Sequence, residues 1–147
     1  MPLPPDILPD LRSQTGAFQR VLGRRYVLER TLGRGGMGIV FLAWEPALER
    51  PVALKLLPPE RAVDPVARAR FLREARTAAR LSHPNIVPIF AVDEIGEYVF
   101  FSMPFIAGET LGDRVRFGSA LEPREAARLL HEVAAALGYA HARGVVH

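Results

Sequence analysis

A glycine-rich segment, Gly33–Gly38, restricts the folds open to this chain more than any other part of the sequence. Its spacing is G-x-G-x-x-G, and the run that follows, Ile39–Trp44, is β-branched and aromatic with no helical period, which predicts a strand. Tyr26–Leu32 alternates well enough to predict another strand. The segment is therefore expected to be the turn of a hairpin, whose glycines would let the backbone approach an anionic group closely. An ordinary glycine-rich hairpin is the alternative.

The same glycine spacing also occurs in dinucleotide-binding folds. There the loop opens a helix, and the N-terminus of that helix holds the pyrophosphate. The strand predicted directly after Gly38 argues against this arrangement. A dinucleotide-binding oxidoreductase stays open as an alternative, which a helix at this point would favour.

Lysine occurs once among the 19 cationic residues, at Lys55, and every other cation is arginine. Arginine's planar fork does not replace a compact ammonium where a site needs a point charge, so a lone lysine suggests such a site. A single lysine could also fall anywhere by chance. Lys55 ends the motif Val52-Ala53-Leu54-Lys55, within a strand predicted over Val52–Leu57.

A helix is predicted to begin at Pro65, with Asp64 as its cap, and to end near Leu81. One of its faces is apolar except for Glu74, and a carboxylate there needs a partner or an exit to water. Lys55 is the expected partner. The residues that share this face by steps of three and four are Phe71, Glu74, Ala78 and Leu81.

Periodicity and turn residues predict the remaining elements. These are a mobile lead-in over 1–23 with a short helix near Leu11–Leu22, strands at Ile86–Asp93 and Glu97–Met103, a linker at Pro104–Gly108, and helices at Leu111–Phe117 and from Pro123 to near Arg143. The last helix has an apolar stripe that is expected to be uncovered. It consists of Ala126, Leu130, Val133, Leu137 and Ala140.

Composition argues against several kinds of site. The absence of cysteine excludes disulfides and thiolate metal sites. The net charge is +3, but acidic residues are mixed among the basic ones and the arginines of 68–80 have helical spacings, so no nucleic-acid partner is expected. No metal-ligand spacing is present, and His83 and His131 are interpreted as structural. No run is long enough to span a bilayer and no signal peptide is visible. A cytoplasmic location is expected, and membrane attachment of a full-length version stays open.

Taken together, the motifs resemble the eukaryotic-like (Hanks-type) serine/threonine protein kinases of bacteria, over Tyr26–His147. The resemblance implies an α+β fold with a kinase N-lobe over 24–103, which holds a five-stranded antiparallel sheet and one αC-type helix. A hinge over 104–108 and the first helices of an incomplete C-lobe over 109–147 would follow. The matching segments are Leu32–Val40, Val52–Lys55, Leu72–Ala75 around Glu74, and Leu81–Val87.

The resemblance also implies an ATP site. Lys55 would hold the phosphates beneath the glycine hairpin, and Glu74 would hold Lys55. Pro104 stands where the family usually has an acidic residue, but it keeps the carbonyl that the hinge needs. Glu109 would either reach a ribose hydroxyl or be an ordinary exposed carboxylate. The residues expected to contact ATP are Leu32, Gly33, Arg34, Gly35, Gly36, Met37, Gly38, Val40, Ala53, Lys55, Met103, Pro104, Ile106 and Glu109.

His147 aligns with the first residue of the H-R-D motif, so the catalytic Asp and the Mg²⁺ ligands of the complete enzyme are expected beyond it. The chain is therefore interpreted as the ATP-binding fragment of a serine/threonine protein kinase, with no useful phosphoryl transfer of its own and no identifiable protein substrate. A non-catalytic, pseudokinase-like regulatory module is the alternative, against which Lys55 and the intact glycines argue.

Overall fold

The computed structural model describes residues 8–118 and 120–146, which form five helices and five strands, besides one turn of 3₁₀ helix at Pro46–Leu48. The helices are α1 (Leu8–Leu22), α2 (Pro59–Ala62), α3 (Pro65–Ala78), α4 (Leu111–Phe117) and α5 (Pro123–His141). The strands are β1 (Val27–Gly35), β2 (Gly38–Glu45), β3 (Arg50–Leu57), β4 (Ala91–Ile95) and β5 (Tyr98–Pro104).

The described residues fall into two units, one of 8–76 with 89–105 and one of 77–88 with 106–146. The division at 105/106 lies within the predicted hinge. Residues 77–88 lie in the second unit, whereas the sequence placed them in the predicted N-lobe together with the strands.

All five strands form one antiparallel sheet in the first unit, in the order β1-β2-β3-β5-β4. The predicted five-stranded antiparallel sheet is therefore confirmed. Because successive side chains of a strand point to opposite faces, the sheet has two faces. One packs against α1 and is called the α1 face, and the other packs against α2 and α3 and is called the α3 face.

The α1 face holds the larger apolar cluster. Phe18 of α1 is fully buried, and its ring centroid lies 5.2 Å from that of Phe100 and 5.8 Å from that of Phe41. Each such buried side chain stabilises the fold by about 1.5–3 kcal/mol. The cluster consists of Phe18, Leu22, Tyr26, Ile39, Phe41, Ala43, Val52, Leu54, Leu56 and Phe100.

The short helix predicted near Leu11–Leu22 is confirmed as part of α1 (Leu8–Leu22), but this helix packs on the sheet and is not a mobile lead-in. Residues 1–7 lie outside the described part. Besides Phe18, the side-chain amide of Gln19 fixes this helix to the edge of the sheet. Its Oε1 accepts from the Leu28 N–H at 2.7 Å and its Nε2 donates to the Tyr26 carbonyl at 2.9 Å. The amide thus replaces a neighbouring strand at the start of β1.

Helix α3 begins where its sequence predicts, since Asp64 Oδ1 accepts from the Val66 N–H at 3.0 Å. It ends at Ala78, three residues before the predicted end. Helix α2 was not predicted, because four residues are too few for a period. On the α3 face the two helices cover a second cluster of Leu57, Ala62, Phe71, Ala75, Val99 and Phe101.

The prediction of a strand over Ile86–Asp93 is wrong at its beginning, because β4 starts at Ala91. Pro88 interrupts this segment and Pro84 lies just before it, and neither can donate to a sheet ladder. Pairing with β5 begins just before the strand, where the Phe90 N–H donates to the Ser102 carbonyl at 2.8 Å.

In the second unit, Tyr139 of α5 connects that helix to the segment after α3. Its hydroxyl accepts from the Ser82 N–H at 3.1 Å, and its ring lies 5.1 Å from that of His83. The Arg143 guanidinium lies 3.7 Å from the centre of the Tyr139 ring. His83 therefore has the structural role that was expected of it. In the described part of the chain, no helix is both long and apolar enough to cross a bilayer.

Candidate nucleotide site

The glycine segment forms the tip of the β1–β2 hairpin. Gly35 pairs with Gly38, and Gly36 and Met37 make the two-residue turn between them. Strand β2 begins at Gly38, so no helix follows the loop. This contradicts the dinucleotide-binding arrangement and confirms the predicted hairpin, which is called the flap below (Gly33–Gly38).

The flap contains one position that only glycine can occupy. Gly38 has a φ of +139°, and a β-carbon there would lie 2.3 Å from the Leu56 carbonyl oxygen of β3. Gly33 and Gly35 differ, because a β-carbon on either would have no neighbour within 4 Å. Gly38 therefore holds the flap against the sheet, while the other two leave bare backbone beside open space. A phosphate group would fit such a surface.

A single row of the sheet brings two residues predicted to lie at the phosphates, Gly33 and Lys55, together with Val40. Gly33 pairs with Val40, Val40 with Lys55, and Lys55 with Phe101. Directly paired side chains on one face have β-carbons roughly 4.5–5.5 Å apart. Val40 and Lys55 therefore lie side by side on the α3 face, next to the base of the flap.

The next row on the same face holds Ala53 and Met103, two more of the residues expected to contact ATP. Leu42 pairs with Ala53, and Ala53 pairs with Met103. Pro104 follows at the end of β5, where it pairs with Val52. Ala53 lies two residues before Lys55 on β3, and Met103 lies two residues after Phe101 on β5. The strand register thus places Ala53 and Met103 on the same face as Lys55.

Lys55 and Glu74 do not pair in this structure. The Lys55 Nζ lies 5.7 Å from the centre of the Phe101 ring. Glu74 is exposed on α3, where it lines a cleft of about 180 Å³ together with Met37, Leu57 and Phe71. Across residues 8–118 and 120–146, no ion pair joins the two. The Glu74 carboxylate is exposed to solvent, although α3 packs on the face of the sheet that carries Lys55.

Two further side-chain contacts fix α3 to the sheet. Arg68 forms an ion pair with Glu94 of β4. The Phe71 ring lies 5.2 Å from the Phe101 ring of β5. Helix α3 is thus fixed in a position that leaves the Glu74 carboxylate in solvent.

Ile106 of the predicted hinge and Glu109, just after that hinge, belong to the second unit. Ile106 is exposed, and the Glu109 carboxylate lies 3.7 Å from the Arg114 guanidinium. Their roles toward a nucleotide stay predictions.

A family model described as the protein kinase domain matches residues 26–147, which is most of the chain. The chain belongs to the protein kinase domain family. The resemblance stated from the flap, the Val52–Lys55 motif and Glu74 is thereby confirmed, and α1 lies outside the matched residues.

Two relatives of this kinase-family chain come from a bacterium. The serine/threonine-protein kinase PknD of Mycobacterium tuberculosis is 42% identical over 142 residues, which cover 97% of this chain and 20% of the relative. PknE of the same organism, also named a serine/threonine-protein kinase, is 43% identical over 122 residues, which cover 83% of this chain and 22% of the relative. These names do not favour the pseudokinase alternative.

Solved structures agree with the kinase fold. The kinase domain of Mycobacterium tuberculosis PknI is 37% identical to this chain and superposes with a TM-score of 0.65, covering 84% of this chain and 50% of that domain. The chain thus spans about half the length of the solved kinase domain and about a fifth of the length of the curated relatives.

Protein kinases generally use ATP and Mg²⁺. The flap fits the phosphates of ATP, because its backbone is bare and the single lysine lies in the adjoining row. Among the described residues, no cluster of three or more histidine, aspartate or glutamate side chains could hold a metal ion.

Sequence reasoning missed one residue of this site, Phe101. Its ring contacts both Lys55 and Phe71 of α3. The sequence carries only a weak signal for it, since Phe100 and Phe101 are adjacent and alternation does not say which of them faces Lys55.

Proposed function

We propose that this chain is the ATP-binding part of a serine/threonine protein kinase, and that the complete enzyme transfers the γ-phosphoryl group of ATP to serine or threonine of a protein. The observation that carries the proposal is the sheet row in which Gly33, Val40 and Lys55 are paired neighbours. It joins bare flap backbone, an apolar surface and the only lysine of the chain.

Each of these groups has a part in holding ATP. The flap N–H groups would face the phosphate oxygens, and the Lys55 ammonium would bind the α- and β-phosphates. Val40, Ala53 and Met103 would contact the adenine. The Pro104 carbonyl and the Ile106 N–H are assigned to its edge on the resemblance alone.

Glu74 would act on Lys55 rather than on ATP. An exposed lysine–glutamate pair stabilises a protein by only about 0–1 kcal/mol, so the value of such a pair would be to position the ammonium. In the present structure the two groups are apart, and a change in side-chain rotamers or in the placement of α3 would be needed to join them.

The Mg²⁺ ions and the protein substrate belong to the complete enzyme in this proposal. Bound Mg²⁺ neutralises the charge that develops on the phosphates during transfer. We also propose that the kinase domain acts in the cytoplasm, which supplies ATP and suits a chain without cysteine.

Calorimetric titration of the chain with ATP, and separately with NADH, tests the proposal. We expect binding of ATP and weaker or no binding of NADH. Lys55→Met should weaken ATP binding about 10- to 100-fold, because it removes a charge-assisted hydrogen bond to phosphate. Arg24→Met is the matched control, since it removes an exposed cation outside the site. A preference for NADH, or equal ATP affinity in the two variants, would contradict the proposal.

A further inference from the structure

Phe101 of β5 connects two parts of the candidate site that are far apart in sequence. Its strand register places it directly beside Lys55, and the Lys55 Nζ lies over its ring, 5.7 Å from the centre. The Phe101 ring also lies 5.2 Å from the Phe71 ring of α3. Phe71 is three residues before Glu74, so the same ring reaches the lysine and the helix that carries the carboxylate.

The contact with Lys55 is of the cation–π type. A lysine ammonium within about 6 Å of a ring centroid is attracted to the negative face of the ring. The Phe101 ring is 6% exposed and is held by Phe71 and Val92, whereas Lys55 is half-buried and its stem has several rotatable bonds. The rigid partner is therefore the ring, and the ring limits where the ammonium can lie.

The contact with Phe71 fixes the helix by packing. Phe71 is 3% exposed and Ala75, one turn on, is 1% exposed, and both lie in the cluster that contains Phe101. Closely packed interiors transmit small displacements, so the position of the Phe101 ring also sets how near α3 approaches β3.

We propose that Phe101 is a positioning residue of this site. Its ring holds the Lys55 ammonium and fixes helix α3 against the sheet. It therefore sets the separation between Lys55 and Glu74 that must close before the two groups can pair. This inference deepens the proposed function and rests on it, because it assigns a role toward the same ATP site.

The single lysine allows a direct test of the contact. In a chain labelled with ¹³C at lysine Cε, the lysine side-chain signal comes from Lys55 alone. A methylene close to an aromatic face is shifted upfield, so Phe101→Leu should move the Lys55 ε-proton signal downfield. Phe100→Leu is the matched control, because Phe100 is also buried but lies in the cluster of the α1 face. No change in Phe101→Leu, or equal changes in both variants, would overturn the proposal.

A second variant covers the case in which Phe101→Leu does not fold. Pentafluorophenylalanine at position 101 keeps a ring against Phe71 but reverses the charge distribution of its face. We expect it to weaken ATP binding about two- to fivefold, as loss of one cation–π contact predicts, and to alter the Lys55 signal. The same residue at position 100 should leave both unchanged. Unchanged ATP affinity with the substituted ring at 101 would overturn the positioning role.

The two failures can be told apart. If the unmodified chain does not bind ATP, the proposed function fails and the positioning role fails with it, whatever the lysine signal shows. If the chain binds ATP but neither position 101 variant affects Lys55, only the role of Phe101 fails.

Discussion

At the scale of single residues, three glycines of one motif have different physical roles. Gly38 is required by the fold, since its positive φ and the nearby Leu56 carbonyl exclude any side chain. Gly33 and Gly35 have room for a β-carbon, so the fold does not require them to be glycine. Their lack of a side chain is instead useful to a ligand that must approach the backbone.

We therefore expect Gly38→Ala to lower the free energy of unfolding by at least about 1–3 kcal/mol, because alanine is strained at this φ and its β-carbon overlaps the Leu56 oxygen. Gly35→Ala should change the stability little and should affect nucleotide binding instead. Urea unfolding followed by the fluorescence of Trp44, the only tryptophan, measures the stability of the two variants. Equal stability of the two variants would show that Gly38 is not confined as described.

At the scale of elements, the sequence predicted what depends on local pattern. The strands of the flap, the Asp64 cap and α4 follow from alternation, capping chemistry and short periodicity. The docking of α1 could not be predicted, because it depends on rings at Phe41 and Phe100 that lie far from Phe18 in sequence. Similarly, the opposite charges of Lys55 and Glu74 led to the prediction that they pair. The separation of the two groups depends on where α3 packs, which the sequence does not show.

The role of α1 can be measured at Phe18. Replacing this fully buried ring by alanine should destabilise the chain by about 3–5 kcal/mol, because it removes apolar burial and leaves a cavity against the α1 face. Arg20→Ala on the same helix is the control, because Arg20 is exposed and surface changes stay within about 0.5 kcal/mol. If the two variants unfold at the same urea concentration, α1 contributes nothing to the stability of the sheet.

At the scale of the whole molecule, each unit has its own balance of buried and exposed apolar surface. The first unit covers its sheet on both faces with helices. In the second unit, Ala136 and Ala140 of α5 are buried, but Leu130, Val133 and Leu137 are 71%, 50% and 37% exposed. These three belong to the stripe that the sequence predicted to be uncovered. A continuous apolar stripe favours association.

This stripe should make the chain associate as its concentration rises, since a net charge of +3 gives little repulsion between copies. Leu130→Gln with Val133→Gln removes the most exposed part of the stripe and should lower the average mass seen by sedimentation velocity at high concentration. His131→Gln with Ala135→Gln is the matched control, because both positions are exposed on a different side of α5. The stripe is not the cause of association if the control pair lowers the mass as much, or if the native chain stays monomeric at every concentration.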